Sequence, residues 1–142
     1  MNATRLYRIA AVLLILFAAG HTVGFLKLKP PTAEGLAVRD AMNSVHFQVR
    51  GRDYSYGNFY LGFGLFNSVY LLFSAFLAWR LSGFSPQAAS AVGWGLCGVM
   101  LASLALCLLY FNMVAVIFSA VLAVCLGWAA WLGRGAGAGA HR

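Results

Sequence analysis

The sequence predicts an all-α membrane protein: a four-helix transmembrane bundle, with a short amphipathic helix in the loop between helices 1 and 2. Three observations predict it. From Leu81 to Gly133 run 53 residues without Asp, Glu, Lys, Arg or His, enough to cross a hydrocarbon core of about 30 Å twice at about 20 residues per pass. The chain is 62% hydrophobic and 9% charged, where soluble domains carry about 25% charged residues, so lipid is its main solvent. Finally, the charged residues stand at the margins of the apolar runs, where spanning segments meet headgroups. Lipid offers no hydrogen bonds to a bare backbone, and helices satisfy their own amides.

The first span covers about residues 9–26, after Arg5 and Arg8 and before Lys27 and Lys29, with His21 its single ionisable member. Ala18-Ala19-Gly20, following a basic start and a short apolar core, also fits the cleavage site of a removed signal peptide. The apolar character continues through Val23 and Phe25 to Leu26, which favours a retained helix. Between Lys27 and Asp53 lies the one sizeable extramembrane piece, opened by Pro30-Pro31 and holding every acid of the chain: Glu34, Asp40 and Asp53. Thr32 is placed to cap a helix there. Val38, Met42, Val45 and Val49 recur as one helical stripe, which predicts a surface helix lying on the membrane or on the mouth of the bundle.

The second span takes about residues 54–79, bracketed by Asp53 and Arg80. Ser82, Gly83, Ser85 and Pro86 form a turn, with Pro86 suited to the first turn of the next helix. The long uncharged run divides at Tyr110-Phe111-Asn112, giving spans of about 89–109 and 113–132. A single membrane domain therefore covers residues 1–133, and the Gly/Ala repeat within 134–142 is expected to be a flexible tail.

Four spans put both termini on one side. The terminal side carries Arg5, Arg8, Arg80, Arg134 and Arg142, and the loop side Lys27, Lys29, Arg39, Arg50 and Arg52, so the positive-inside count is tied. Trp79, Trp94, Trp128 and Trp131 gather towards the terminal side, and the orientation expected is with termini in the cytoplasm. The net charge of +7 is spread at span ends, which points to lipid headgroups as its partner and away from nucleic acid. Cys97, Cys107 and Cys125 lie within apolar spans at no disulfide or metal spacing and act as small apolar groups. No metal and no cofactor are expected. The histidines are His21, His46 and His141, too scattered for a zinc site or a bis-histidine haem.

A polar group inside a bilayer is costly and needs a reason. His21 lies about 6–8 Å inside the loop end of span one at 1.5 Å per residue, and Asn58 a comparable depth inside span two. With Tyr56, Tyr60 and His46 of the surface segment they make a candidate polar pocket at the loop-side mouth. There His21 would serve as acid, base or hydrogen-bond donor and Asn58 and Tyr60 as orienting groups. No carboxylate lies within a span to relay a proton from His21, which counts against a pump or a two-acid enzyme. In span two Gly57, Tyr60, Gly64, Asn67, Ser68, Leu71, Ser74, Ala75 and Ala78 share one face. In span four Ala115, Ser119, Ala123 and Gly127 recur every fourth residue, and Gly95 and Gly98 lie near Ala102 in span three. Small residues at such spacing let backbones approach. Asn67, at mid-span, requires the bundle interior or a partner subunit to satisfy it.

The segments Gly20-His21-Thr22-Val23-Gly24, Val38-Arg39-Asp40-Ala41-Met42 and Ser55-Tyr56-Gly57-Asn58-Phe59-Tyr60-Leu61-Gly62-Phe63-Gly64-Leu65 resemble those of a family of small bacterial four-pass integral membrane proteins of uncharacterised activity. The resemblance spans Gly20 to Trp79 and implies the fold and a place in the bacterial inner membrane. That family's S-Y-x-x-F-Y segment would carry an acid where this chain has Asn58, which removes a partner for His21. The function expected is therefore a structural or accessory bundle component, as a homo-oligomer or within a larger membrane complex. The alternatives are a binder or membrane-embedded enzyme for a lipid-like or quinone-like molecule using the His21/Asn58/Tyr60 pocket, and a transporter subunit.

Overall fold

The computed structural model describes residues 2–138. Five helices and one β-hairpin follow in the order α1 Ala3–Lys27, α2 Ala33–Ser44, β1 His46–Val49, β2 Arg52–Ser55, α3 Tyr56–Leu81, α4 Pro86–Tyr110 and α5 Met113–Ala138. Helices α1, α3 and α4 and the part of α5 from Met113 to Arg134 are each long and apolar enough to cross a membrane. The chain is a four-span helical membrane protein. Helices α1, α4 and α5 overrun their hydropathic spans, because a helix ends where its capping or turn chemistry ends it and the apolar run marks only the part inside oil. Helix α3 keeps the length of its span and starts two residues later, because Tyr54 and Ser55 belong to β2. The last helix continues through the Gly/Ala repeat to Ala138, and residues 139–142 of the expected tail, His141 among them, lie outside the described residues.

By contact the chain sorts into two compact units, Met1–Phe17 with Leu71–Arg142, and Ala18–Tyr70. In the first, α4 and α5 form the most extensive helix pair. Ser90 Oγ donates to Ala130 O at 2.7 Å and Cys97 Sγ to Ala123 O at 3.3 Å, and Cys107 Sγ lies 3.7 Å from Ser119 Oγ. Pro86 occupies the first turn of α4, where its missing N–H costs nothing. The amino-terminal half of α1 adds a stripe of Tyr7, Ala10, Ala11 and Leu14, all essentially inaccessible. Tyr7 Oη donates to Ala89 O at 2.8 Å, Cys125 Sγ reaches Leu6 O at 3.4 Å, and Phe17 stacks on Phe118 with centroids 5.0 Å apart. Leu71, Ser74, Ala75, Ala78 and Leu81 of α3 are buried in this unit as well. The three cysteines are free thiols.

Small residues pack where a second helix crosses them, and the structure corrects which these are in α4. Gly95 and Gly98 face open space, whereas Gly93 lies directly beneath Tyr7 and 3.1 Å from Ala130 Cβ, measured from where its own Cβ would stand. Ala89, Gly93 and Cys97 form the close row. On α5 the row is Ser119, Ala123 and Gly127, continued by Ala130 and Gly133; a methyl on Gly133 would come within 2.7 Å of Pro86 O.

In the second unit the loop departs from expectation. Thr32 does cap α2, its side chain accepting from Gly35 N at 3.1 Å. The helix then stops at Ser44, so Val45 and Val49 leave the helical stripe, and residues 46–55 pair as an antiparallel hairpin, His46 with Ser55 through Val49 with Arg52. Arg50 (φ 51°) and Gly51 (φ 79°) are both left-handed, the two-residue turn whose twist matches a hairpin. Tertiary pairing overrode the helical period because Phe47 finds Tyr54, Tyr56 and Phe59, with ring centroids 6.0, 4.8 and 5.7 Å away. A continued helix would have given up these ring contacts.

Candidate functional site

The candidate site lies within Ala18–Tyr70, where the carboxy-terminal half of α1 meets the amino-terminal half of α3. His21 Nε2 lies 3.0 Å from Gly64 O. A carbonyl only accepts, so Nε2 carries the hydrogen and donates it. The imidazole stacks on Phe25 at 5.8 Å and 12°, and Phe25 tilts against Tyr60 at 5.2 Å. Beside it Thr22 Oγ1 donates to Ala18 O at 2.7 Å and shares a 2.8 Å hydrogen bond with Ser68 Oγ, one turn along α3 from Gly64. Gly64 is what permits this meeting, since a side chain there would occupy the Phe25 ring. His21, Thr22 and Phe25, at i, i+1 and i+4, fall within one stripe about 100° wide on α1. Gly64 and Ser68, four apart, answer them from α3.

His21 and Tyr60 are therefore joined, through Phe25. Asn58 is not part of that group. Two residues from Tyr60 on the same helix, it faces about 200° away and lines an open cleft of about 600 Å³ with Asp53, Tyr54, Phe59, Gly62, Phe63 and Phe66. Its backbone N–H donates to the buried Ser55 Oγ at 3.1 Å, which starts α3. His46 stands on the exposed hairpin with Nδ1 2.5 Å from Asp53 Oδ2. Register puts the two on one face of the hairpin. Tyr56 is half exposed and packs on Phe47. The single pocket expected from depth along each helix is thus two places: an interhelical latch at His21, and an aromatic cleft with a polar mouth at Asp53 and Asn58. Depth was readable from the sequence, and azimuth relative to a neighbour was not.

Sequence reasoning missed Thr22 and Phe25 as partners of Ser68 and Gly64, and Asp53 as the partner of His46. The signal for the last was present in the alternation His46-Phe47-Gln48-Val49 and Arg52-Asp53-Tyr54-Ser55 around Arg50-Gly51. A further contact holds the surface helix: a methyl on Gly57 would fall on the Asn43 side chain, so α2 is seated against the start of α3.

Asn67 is one polar group of the spans without a hydrogen-bond partner among the described residues. Its side-chain amide lies near the middle of α3, half-buried. His21, Thr22, Ser68, Ser90, Ser119 and Tyr7 all have hydrogen-bond partners on neighbouring helices. No group of three His, Cys, Asp or Glu close enough to share a metal occurs among the described residues.

Fold and site together define a small multi-pass helical membrane protein whose spans are latched through side-chain-to-backbone hydrogen bonds. No family model, curated protein or solved structure matches the chain, so the resemblance drawn from the Gly20–Gly24 and Ser55–Leu65 segments rests on those residues.

Proposed function

We propose that the chain is a structural or accessory component of a membrane assembly, joined to a second copy or to another subunit through the middle of α3. The unsatisfied amide of Asn67 carries this reading. An amide in hydrocarbon has no water to turn to, and a facing helix in another subunit supplies both its donor and its acceptor. On this reading the protein belongs with the small bacterial four-pass proteins its motifs resemble, in the inner membrane with cytoplasmic termini. The hydrogen bonds of His21, Thr22, Ser68, Ser90, Ser119 and Tyr7 to neighbouring helices support a structural role.

The test is association in nanodiscs or mild detergent. Wild-type protein should self-associate or co-purify with a defined subunit. Asn67→Leu should weaken that association by about 3- to 20-fold, the range of one interhelical hydrogen bond in lipid, while helicity is unchanged. A wild-type protein that is monomeric at all concentrations and brings nothing with it would end the proposal, as would a variant that associates as before.

The open cleft at Asp53, Asn58 and Phe66 favours a second reading, binding of a lipid-like or quinone-like molecule. Its walls are aromatic and its mouth holds one carboxylate and one amide, the pattern of a site that seats an apolar body and orients a polar head. His21 would have no direct part in it, being engaged with Gly64 O. Organic extracts of purified wild type should then contain a stoichiometric small molecule that Asn58→Leu loses by several-fold. Identical extracts from the two proteins would refute the cleft as a site.

A further inference from the structure

The unit Met1–Phe17 with Leu71–Arg142 contains Arg5, Arg8, Arg80, Arg134 and Arg142 and not one Asp or Glu. No side-chain carboxylate of that unit neutralises them. Two of these arginines come together. Arg8 and Arg80 line a cleft of about 300 Å³ with Trp79, Ser82, Gly83 and Phe84, its walls largely polar. Arg8 Nε donates to Ser82 Oγ at 3.4 Å, and its guanidinium lies 5.7 Å from the centroid of the Trp79 ring. Those two contacts aim the group while leaving its Nη nitrogens unbonded among the described residues. Ser82 Oγ accepts from Arg8, so its own hydrogen is still available to donate.

The backbone of the turn is not a donor here, since the N–H groups of Ser82, Gly83 and Phe84 already bond Trp79 O, Arg80 O and Leu81 O. The cleft therefore presents two guanidiniums and a hydroxyl, an arrangement suited to the oxygens of a phosphate. Its position at the end of one spanning helix and the turn into the next, with Trp79 and Phe84 half exposed beside it, is that of the headgroup layer, where tryptophan settles. We infer that the Arg8, Arg80 and Ser82 cleft binds the phosphodiester of an anionic phospholipid headgroup. A zwitterionic headgroup adds a third cation, an ammonium, beside the two guanidiniums, and this unit has no carboxylate to pair it. An uncharged polyol headgroup brings none. The selectivity follows from the sequence composition of the unit, and the site is independent of Asn67.

Purified protein in mild detergent is offered equal amounts of phosphatidylglycerol and phosphatidylcholine with the same acyl chains, and bound lipid is read by native mass spectrometry. Wild type should retain phosphatidylglycerol at least about 5-fold over phosphatidylcholine, a difference of about 1 kcal/mol. Arg8→Gln and Arg80→Gln should each bring the two lipids close to parity with unchanged helical circular dichroism. Arg134→Gln should leave the preference intact, because Arg134 is engaged 5.0 Å from the Trp94 ring outside the cleft. Equal retention of both lipids by wild type would overturn the inference, as would an Arg134→Gln loss as large as that of Arg8→Gln, which would mark generic surface charge. Displacement of phosphatidylglycerol by millimolar inorganic phosphate would overturn the lipid assignment in favour of a free-phosphate site.

Discussion

Gly93→Ala is expected to destabilise the protein by about 2–3 kcal/mol, although adding a methyl to a helix-interior glycine ordinarily stabilises by up to about 1 kcal/mol. The position decides the sign. A Cβ there would overlap Tyr7 Oη, stand 3.0 Å from Tyr7 Cζ and come within 3.1 Å of Ala130 Cβ. Tyr7 cannot swing aside, because it is 1% exposed and its hydroxyl is bonded to Ala89 O, one turn before the glycine. The clash therefore pushes α1 away from α4, or ejects the ring and leaves its cavity. Tyr7→Phe alone should cost about 1 kcal/mol for the lost hydrogen bond. It also removes the atom that clashes most, so the double variant should be more stable than the sum of the single changes by at least about 1 kcal/mol, a coupling of opposite sign to the losses. Reversible unfolding in mixed micelles measures all four proteins. A Gly93→Ala midpoint at or above wild type, or strict additivity in the cycle, would show that Tyr7 does not seat on Gly93 in the membrane.

Gly64→Ala and Gly62→Ala should move stability in opposite directions, although the two glycines lie within one turn of the same helix. Around Gly62 nothing lies within 4 Å, so a methyl contributes its helix propensity and should stabilise by up to about 1 kcal/mol. At Gly64 the methyl would fall within the Phe25 ring. That ring is held between His21 and Tyr60, and displacing it draws His21 Nε2 off Gly64 O. A loss of about 1–2 kcal/mol is expected after the propensity gain is offset. Hydrogen exchange should report the change locally, with faster exchange in α1 after Ala18 and in α3 before Tyr70. If both variants stabilise equally, the His21 latch contributes nothing to holding these helices, and His21 becomes available for the chemistry the sequence suggested.

These paired outcomes also mark where sequence reasoning stops. The uncharged run Leu81–Gly133 announced two helices and even their division near Tyr110, because transfer into oil is a sum over neighbouring residues and needs no knowledge of the rest of the fold. Thr32 and Pro86 announced their roles for the same reason, each acting on backbone groups within a turn. The Val38, Met42, Val45, Val49 stripe misled because valines spaced by four suit a helix, while Phe47, set between them, had distant rings to meet. Gly95 and Gly98 were plausible packing sites and Gly93 was the actual one, a choice made by the depth at which Tyr7 arrives from another helix. Asn58 and Tyr60 were assigned one pocket from equal depth. Their two-residue separation places them on different faces of a helix.

By itself the sequence determined that the chain lives in a bilayer, that it crosses four times, and that its acids are confined to one loop. Each of these follows from local hydrophobicity and charge, which act on every residue whatever its neighbours in space. Only the tertiary structure decided that His21 serves Gly64, that Asn67 has no partner among the described residues, and that Arg8 meets Arg80 beside Ser82. Those pairings depend on the rotation and offset of one helix against another, set by interlocking shapes that few residues specify alone.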